Sequence, residues 1–212
     1  MSIADLRRDY SHATLSEHEV NTDPILQFDA WFKQTLAAEV PEPNAMSLAT
    51  VGSNGRPSSR IVLLKDFDQR GFTWYTNYES KKGHDLATHP FAALTFHWVE
   101  LERQIRIEGS VERVAEADSE AYFQIRPIKS RLGAIASAQS QPIDSREHLE
   151  EKFAQAEAHY GDTPPPRPAH WGGYRLKPNW IEFWQGRRSR LHDRIVYTLE
   201  SDGHWSRQRL QP

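Results

Sequence analysis

"FAALTFHWV", residues 91–99, and "RQIRIEGSVERV", residues 103–114, stand three residues apart. Each reads as a long strand, and the link is too short for a crossover helix, so the pair is antiparallel. The same reading extends upstream. "GFTWYTN", residues 71–77, alternates and gives the preceding strand, while "MSLATVG", residues 46–52, and "SSRIVLLK", residues 58–65, flank "SNGRP". Asn54-Gly55 in that link predicts a type I′ hairpin turn, which needs positive φ at both central residues. Downstream, "WGGYRL" (171–176), "NWIEFWQ" (179–185), "LHDRIVYTLE" (191–200) and "HWSRQRL" (204–210) supply four more strands, the last two joined by Asp202-Gly203.

Helical segments interrupt this pattern. "TDPILQFDAWFKQTLAAEV" (22–40) carries Ile25, Phe28, Phe32 and Leu36 at helical spacing, with Thr22 or Asp23 as cap and Pro24 in the first turn. Ser80 caps a short helix in "KKGHDLATH", and "AEADSEAYFQIR" runs until Pro127. "SREHLEEKFAQAEAHYG" starts at a Ser145 cap and stops at Gly161, with Leu149, Phe153 and Ala156 on its buried side. The Pro-rich "DTPPPRPAH" (162–170) resembles a domain boundary, but the chain after it is too short for an independent core. The expectation is one domain over residues 22–212, preceded by a flexible, polar arm at 1–21 that orders on contact. Its class is mainly β with added helices: an antiparallel, closed or partly closed barrel.

Composition narrows the function classes. Seven Trp, seven Tyr and nine Phe in 212 residues supply a bulky core. A net charge of −3 argues against a general nucleic-acid binder. The absence of cysteine excludes disulfides, zinc–thiolate sites and cysteine catalysis. No metal is expected, because none of the ten histidines falls in an HExxH-like pattern. The charged N-terminus lacks a signal-type apolar region, and no apolar run reaches the ~18 residues of a membrane span. A cytoplasmic protein with no membrane partner is expected.

Against that acidic background, cations gather in four places. "GRRSRLHDRI" (186–195) holds four arginines and a histidine. If Arg190–Ile195 is extended, Arg190, His192 and Arg194 share one face, as an anion site or as a solvated edge strand. Arg187 and Arg188 read as solvated loop charges. "RIVLLK" brackets an apolar strand with Arg60 and Lys65. Ser80, Lys81 and Lys82 open a helix, where lysines oppose the dipole unless an anion binds there. Tyr122 and Arg126 lie four apart on one helical face, with Ser130 beyond the Pro127 break. Beside the plainer readings, a buried strand with charged ends and a solvated helix end, these sets are candidate sites for one phosphate or more.

"RIVLLK", "YTNYESKK", "ERQIRIEG", "RPIKSRLGAIASAQS", "HWGGYRLKPNWIEFWQG", "RLHDR" and the terminal "RLQP" occur in this order. With "LRRDY" at residues 6–10, they resemble the pyridoxamine 5′-phosphate oxidase family along the whole chain. The resemblance implies an FMN-binding split barrel and a homodimer with FMN at the subunit interface. It implies oxidation of pyridoxamine or pyridoxine 5′-phosphate at C4′, with hydride passing to the flavin and O2 giving hydrogen peroxide. By motif, Arg60, Ile61, Val62, Leu63, Tyr75, Thr76, Lys81, Lys82, Gln104, Gln139, Ser140, Trp184 and Arg194 are implied to hold FMN. Lys65, Tyr122, Arg126 and Ser130 are implied to cradle the substrate phosphate. Arg190 and His192 are implied as the catalytic pair, with Leu191 beside them, and Arg7 and Tyr10 as part of a covering arm. Lys81 stands where many relatives carry Arg, and Glu42 where a shorter acid is expected. The competing readings are another split-barrel flavoprotein, such as a flavin reductase, and a non-catalytic FMN- or pyridoxal-phosphate-binding protein.

Overall fold

The computed structural model describes every residue except 1, 6–8 and 162. Among the described residues nine strands form one antiparallel sheet. They are β1 (Ala45–Val51), β2 (Pro57–Leu63), β3 (Asp66–Asp68), β4 (Gly71–Asn77) and β5 (Phe91–Trp98). After these come β6 (Arg103–Arg113), β7 (Trp171–Gln185), β8 (Asp193–Leu199) and β9 (Trp205–Arg209). The sheet order is β2-β1-β5-β6-β7-β4-β3, with β8 and β9 continuing from β7.

β5 and β6 pair as expected, from Phe91 opposite Ser110 to Trp98 opposite Arg103. Their neighbour β7 is a single strand of 15 residues where the sequence suggests two. Lys177-Pro178-Asn179 reads as a stop, yet it is a bulge: Glu108 pairs with Trp180 while Gly109 pairs with Pro178. The proline, which has no N–H to donate, sits at that irregularity. Gly109 is required there, because a Cβ would lie 2.0 Å from the Lys177 carbonyl oxygen. The bulge also divides the strand's other edge. Residues 171–176 pair with β4, and residues 180–185 pair with β8. The sheet therefore forks at the bulge, and the chain after β2 returns to β4 through a bond from the Lys65 N–H to the Thr73 carbonyl (2.9 Å). The result is a curled, split barrel.

The β1–β2 hairpin is present, but its turn is not type I′. Gly55 has φ 74 and Asn54 has no positive φ. The Gly55 N–H donates to the Gly52 carbonyl, and the Gly52 N–H to the Arg56 carbonyl. This is a three-residue loop closed by a left-handed glycine. The β8–β9 turn repeats it at Glu200–His204, with Gly203 at φ 87.

Among the described residues five α-helices pack on this frame: α1 (Pro24–Ala37), α2 (Lys81–Thr88), α3 (Glu116–Ile125), α4 (Ile128–Ala136) and α5 (Arg146–Tyr160). Asp23 caps α1, its carboxylate accepting from the Ile25 N–H at 2.7 Å. Phe28 is fully buried among Phe67, Phe72 and Phe96, all edge-on with centroids 4.8–5.2 Å away. Emptying such a site costs about 3–5 kcal/mol. Leu36, expected on the apolar stripe, is exposed, and Trp31 packs instead against Phe183. α4 is an element the sequence does not announce. α5 buries no side chain fully; Leu149, Phe153 and Ala156 are half-buried. Of the segment expected as an arm, Leu15 and Val20 are buried against the body, and Arg209 bonds to Glu17 at 2.6 Å.

Candidate active site

A cavity of about 980 Å3 opens where β2 and β4 meet α2, α3 and α4. β2 is an edge strand, so its pleat presents Arg60 and Val62 half-buried while Ile61 and Leu63 remain exposed at the rim. Lys65 follows it, and Tyr75 and Thr76 come from β4. Lys81 and Lys82 come from the start of α2, whose N-terminus Ser80 caps through the Gly83 N–H. Gln139 and Ser140 reach in from the segment after α4.

Lys82 is 7% exposed and bonds to Thr76 Oγ1 (3.0 Å), Ser80 Oγ (3.1 Å) and Gln139 Oε1 (3.0 Å). Burial, with Arg60 nearby, lowers its pKa to about 8. Arg60 donates to the Leu48 carbonyl, Thr50 and Ser58, and burial lowers its pKa. Behind both stands Asp85. Burial alone pushes its pKa up, but hydrogen bonds from Thr50, Lys81 and Ser58 hold it below the usual value. Lys81, expected to face an anion, spends its charge on Asp85 at 3.0 Å from both oxygens.

The other wall carries Tyr122, Arg126 and Ser130. Arg126 closes α3, and Pro127 starts α4 at a new angle. The proline break does not remove Ser130 from the set, as sequence spacing alone allows; α4 returns it to the same cavity. Tyr122 stacks on Tyr75 at 4.0 Å. The Arg126 guanidinium lies 4.6 Å over Trp171, and its Nη1 is buried with no partner.

The remaining expected residues that the structure describes form a second group, none of which lines this cavity. Gln104, Trp184 and Arg194 are direct cross-strand partners on β6, β7 and β8, so they share one face. Trp184 lies 4.6 Å from the His192 ring, and Tyr10 packs edge-on against Trp184 at 5.8 Å. Arg7 lies outside the described residues. The strand expected over Arg190–Ile195 begins only at Asp193. Ser189 and Arg190 are left-handed, with φ 57 and 62, so strand parity does not group Arg190 with His192 and Arg194. Arg194 makes a two-pronged ion pair to buried Glu182 (3.1 and 2.8 Å), which raises its pKa, and also donates to the Gln211 carbonyl.

His192 Nδ1 accepts the Arg187 N–H at 3.1 Å, which places the neutral ring's proton on Nε2. Burial and then Arg190 lower its pKa, against the pull of Asp193. Arg187 is not the solvated charge expected: it pairs with Asp193 at 2.9 Å. Glu102 and Asp193 hold the arm, accepting from the N–H groups of Ser11, His12 and Leu15. Gly186 leaves the room Tyr10 occupies, since a Cβ there would meet the Tyr10 ring at 2.7 Å. Glu102, Asp193, Glu182, Asp85 and Trp171 are site-shaping residues that sequence reasoning misses; each acts on a partner distant in the chain, and although all but Asp85 fall within the quoted motifs, spacing gives none of them a role.

The cavity suits the FMN implied by the resemblance. Among the described residues it is lined by Arg60, Lys65, Lys81, Lys82 and Arg126 and by no carboxylate, and its two walls each carry cations. The buried orphan donor of Arg126 requires an acceptor. Among the described residues no metal-binding cluster occurs, and no helix is long and apolar enough to cross a membrane.

Comparison with known proteins agrees with this geometry. The chain is 66% identical, over the full length of both, to the pyridoxine/pyridoxamine 5′-phosphate oxidase of Herminiimonas arsenicoxydans. Among solved structures, PhzG from Burkholderia lata 383, in complex with tetrahydrophenazine-1-carboxylic acid, superposes with a TM-score of 0.87 at 32% identity, covering 94% of this chain and 98% of that one. An FMN-binding protein related to pyridoxamine 5′-phosphate oxidase, from Nostoc punctiforme, shares the fold with a TM-score of 0.71 at 19% identity, over 90% of this chain and 98% of that one. Residues 32–160 match the pyridoxamine 5′-phosphate oxidase family, and residues 171–212, which carry Trp184, Arg190, His192 and Arg194 of the second group, match the C-terminal dimerisation region of pyridoxine 5′-phosphate oxidase. With the cationic cavity inside the first match and the Trp184–His192–Arg194 face inside the second, the chain belongs to the pyridoxamine 5′-phosphate oxidase family.

Proposed function

We propose that the protein is an FMN-dependent oxidase converting pyridoxamine or pyridoxine 5′-phosphate to pyridoxal 5′-phosphate. The observation that carries this reading is the second cationic wall. Beyond the Arg60–Lys82 end, which suits the FMN phosphate, Lys65, Tyr122, Ser130 and the unpartnered Arg126 Nη1 form a further anion cradle. A protein that binds FMN alone has no use for it. Bound flavin supplies the two-electron acceptor for hydride leaving C4′, and O2 takes those electrons to give hydrogen peroxide; with the amine substrate, water then releases ammonia.

The chain's own part is placement. Arg126, Tyr122, Ser130 and Lys65 anchor the phosphate and so fix the distance of C4′ from the flavin. His192, with its proton on Nε2, offers a directed donor to the substrate ring, and the Arg190 charge acts on it. Tyr10 and the arm behind it exclude water from the Trp184–His192 face. The active unit is a homodimer with FMN between subunits. This is supported by the separation of the two groups, the matched dimerisation region and the exposed Ile61 and Leu191 beside them.

A carboxylated ring substrate is the second reading, favoured by the likeness to PhzG. One experiment separates the two. The purified protein is given pyridoxamine 5′-phosphate in air; a flavin absorbance, with aldehyde and peroxide formed one to one, is expected. Bound flavin without turnover would favour the second reading, and no flavin would exclude both.

A further inference from the structure

Arg126 is held without an acid. Among the described residues no carboxylate acts on it, and burial disfavours its charge. Its backbone is extended (φ −70, ψ 147), so helix geometry does not aim the side chain. What lies against the guanidinium is aromatic: the Trp171 ring at 4.6 Å and the Phe123 ring at 5.7 Å. Trp171 is itself fixed. It is 5% exposed, near-parallel to Tyr75 (5.7 Å, 11°) and Tyr122 (6.2 Å, 4°), and edge-on to Phe123 at 5.0 Å. Its backbone is pinned at the first position of β7, opposite Asn77, and its carbonyl accepts from Arg167 at 2.7 Å.

A carboxylate beside Arg126 would occupy its N–H edge and cancel the charge that a phosphate ester needs. An indole face attracts the cation from one side and takes no donor. We infer that Trp171 is a positioning residue: it holds the Arg126 guanidinium by its face, leaves the N–H edge for the substrate's phosphate, and thereby sets the preference for phosphorylated substrates. This rests on the reading of the cavity as a phosphate cradle. Tyr75 and Tyr122 extend the same shelf, which keeps the Tyr122 hydroxyl on the wall that Arg126 serves.

The test uses flavin-loaded protein and the variants W171F and W171L, alone and combined with R126A. In W171L, KM for pyridoxamine 5′-phosphate and the dissociation constant for inorganic phosphate, read by calorimetry, rise together by about tenfold, the equivalent of about 1.4 kcal/mol. W171F, with a weaker ring, gives about threefold. kcat stays within about twofold and flavin stays bound. In the R126A background, Trp171→Leu adds nothing, because the shelf acts only through the guanidinium; a purely structural residue would add its full effect. Unchanged KM in W171L, a loss confined to kcat, or additive effects with R126A would each overturn the inference. If W171L does not fold, W171F decides, and less than a twofold rise in both constants overturns it. If the wild type binds phosphate but does not oxidise the substrate, the proposed function fails while calorimetry on the same variants still decides the shelf; no phosphate binding by the wild type overturns the shelf.

Discussion

Lys82 and Arg126 are the two cations of the cavity that are withdrawn from water and, among the described residues, paired with no acid. They titrate and bind in different ways. For Lys82, a pKa of about 8 lies below the ordinary 10.5, so between those values the unfolded chain carries more protons than the native one. Stability of the flavin-free protein therefore rises across that window. A bound phosphate reverses the shift by restoring the charge. FMN affinity is thus full just below pH 8 and falls, by up to about tenfold per unit, as pH climbs above it. Fluorescence titration of FMN at pH 7, 8 and 9 reads this, and Lys82→Arg, which stays charged, flattens the profile. A wild-type profile that is flat to pH 9 would show that Lys82 does not meet the phosphate. For Arg126, truncation removes a charged hydrogen-bond donor worth about 1.5–3 kcal/mol. Arg126→Ala raises KM for the phosphorylated substrate by roughly 10- to 150-fold with FMN retained, and steady-state kinetics with the flavin spectrum decides it. Both residues are legible in the sequence, because cations at a helix start and before a proline are conspicuous. Trp171 is not: an aromatic opening a strand reads as core, and only the fold puts its face under Arg126.

At the scale of elements, period and turn chemistry make β5, β6, α1 and α2 readable, since burial, capping and short links are local. The misreadings occur where a partner strand decides. Pro178 looks like an end, but β6 accommodates it with one bulge, and that bulge creates the fork on which β4 and β8 diverge. Arg190 looks extended, but Arg187 and Asp193 close the loop before the strand starts. Asp193 joins three elements: it accepts from the Leu15 N–H of the arm, from Arg187 of the loop and from Arg209 of β9. These bonds hold two consecutive left-handed residues, Ser189 and Arg190, each of which costs roughly 1 kcal/mol or more. Asp193→Ala releases that loop. The expected result is a lower melting temperature, from a loss of about 2 kcal/mol, and a kcat reduced by tenfold or more. KM changes little, because the phosphate cradle stands on other elements. A lower melting temperature with unchanged kcat would mean that the loop is held by its remaining contacts.

For the whole molecule, the two groups of site residues pose a problem that one chain does not solve. The cavity carries the cations, and the Gln104–Trp184–Arg194 face carries the indole that lies against His192, yet no residue of that face lines the cavity. In the proposed two-fold dimer the cavity of one protomer meets the face of the other, which makes two equivalent sites. This arrangement predicts complementation. Arg126→Ala damages the cavity, and Arg190→Ala damages the face without loss of FMN. In a heterodimer of the two variants, one site receives both lesions and the other receives neither. Random mixing makes half of the dimers heterodimers, so unfolding and refolding the two variants together should restore about a quarter of wild-type activity. Each variant refolded alone stays low. If each site were built within a single chain, every site in the mixture would keep one lesion and no activity would return. Subunit exchange followed by the peroxide assay distinguishes the cases, with equal loading of FMN as the control. Recovery would also explain why the sequence shows the two halves as unrelated cationic clusters: their meeting point lies between two chains.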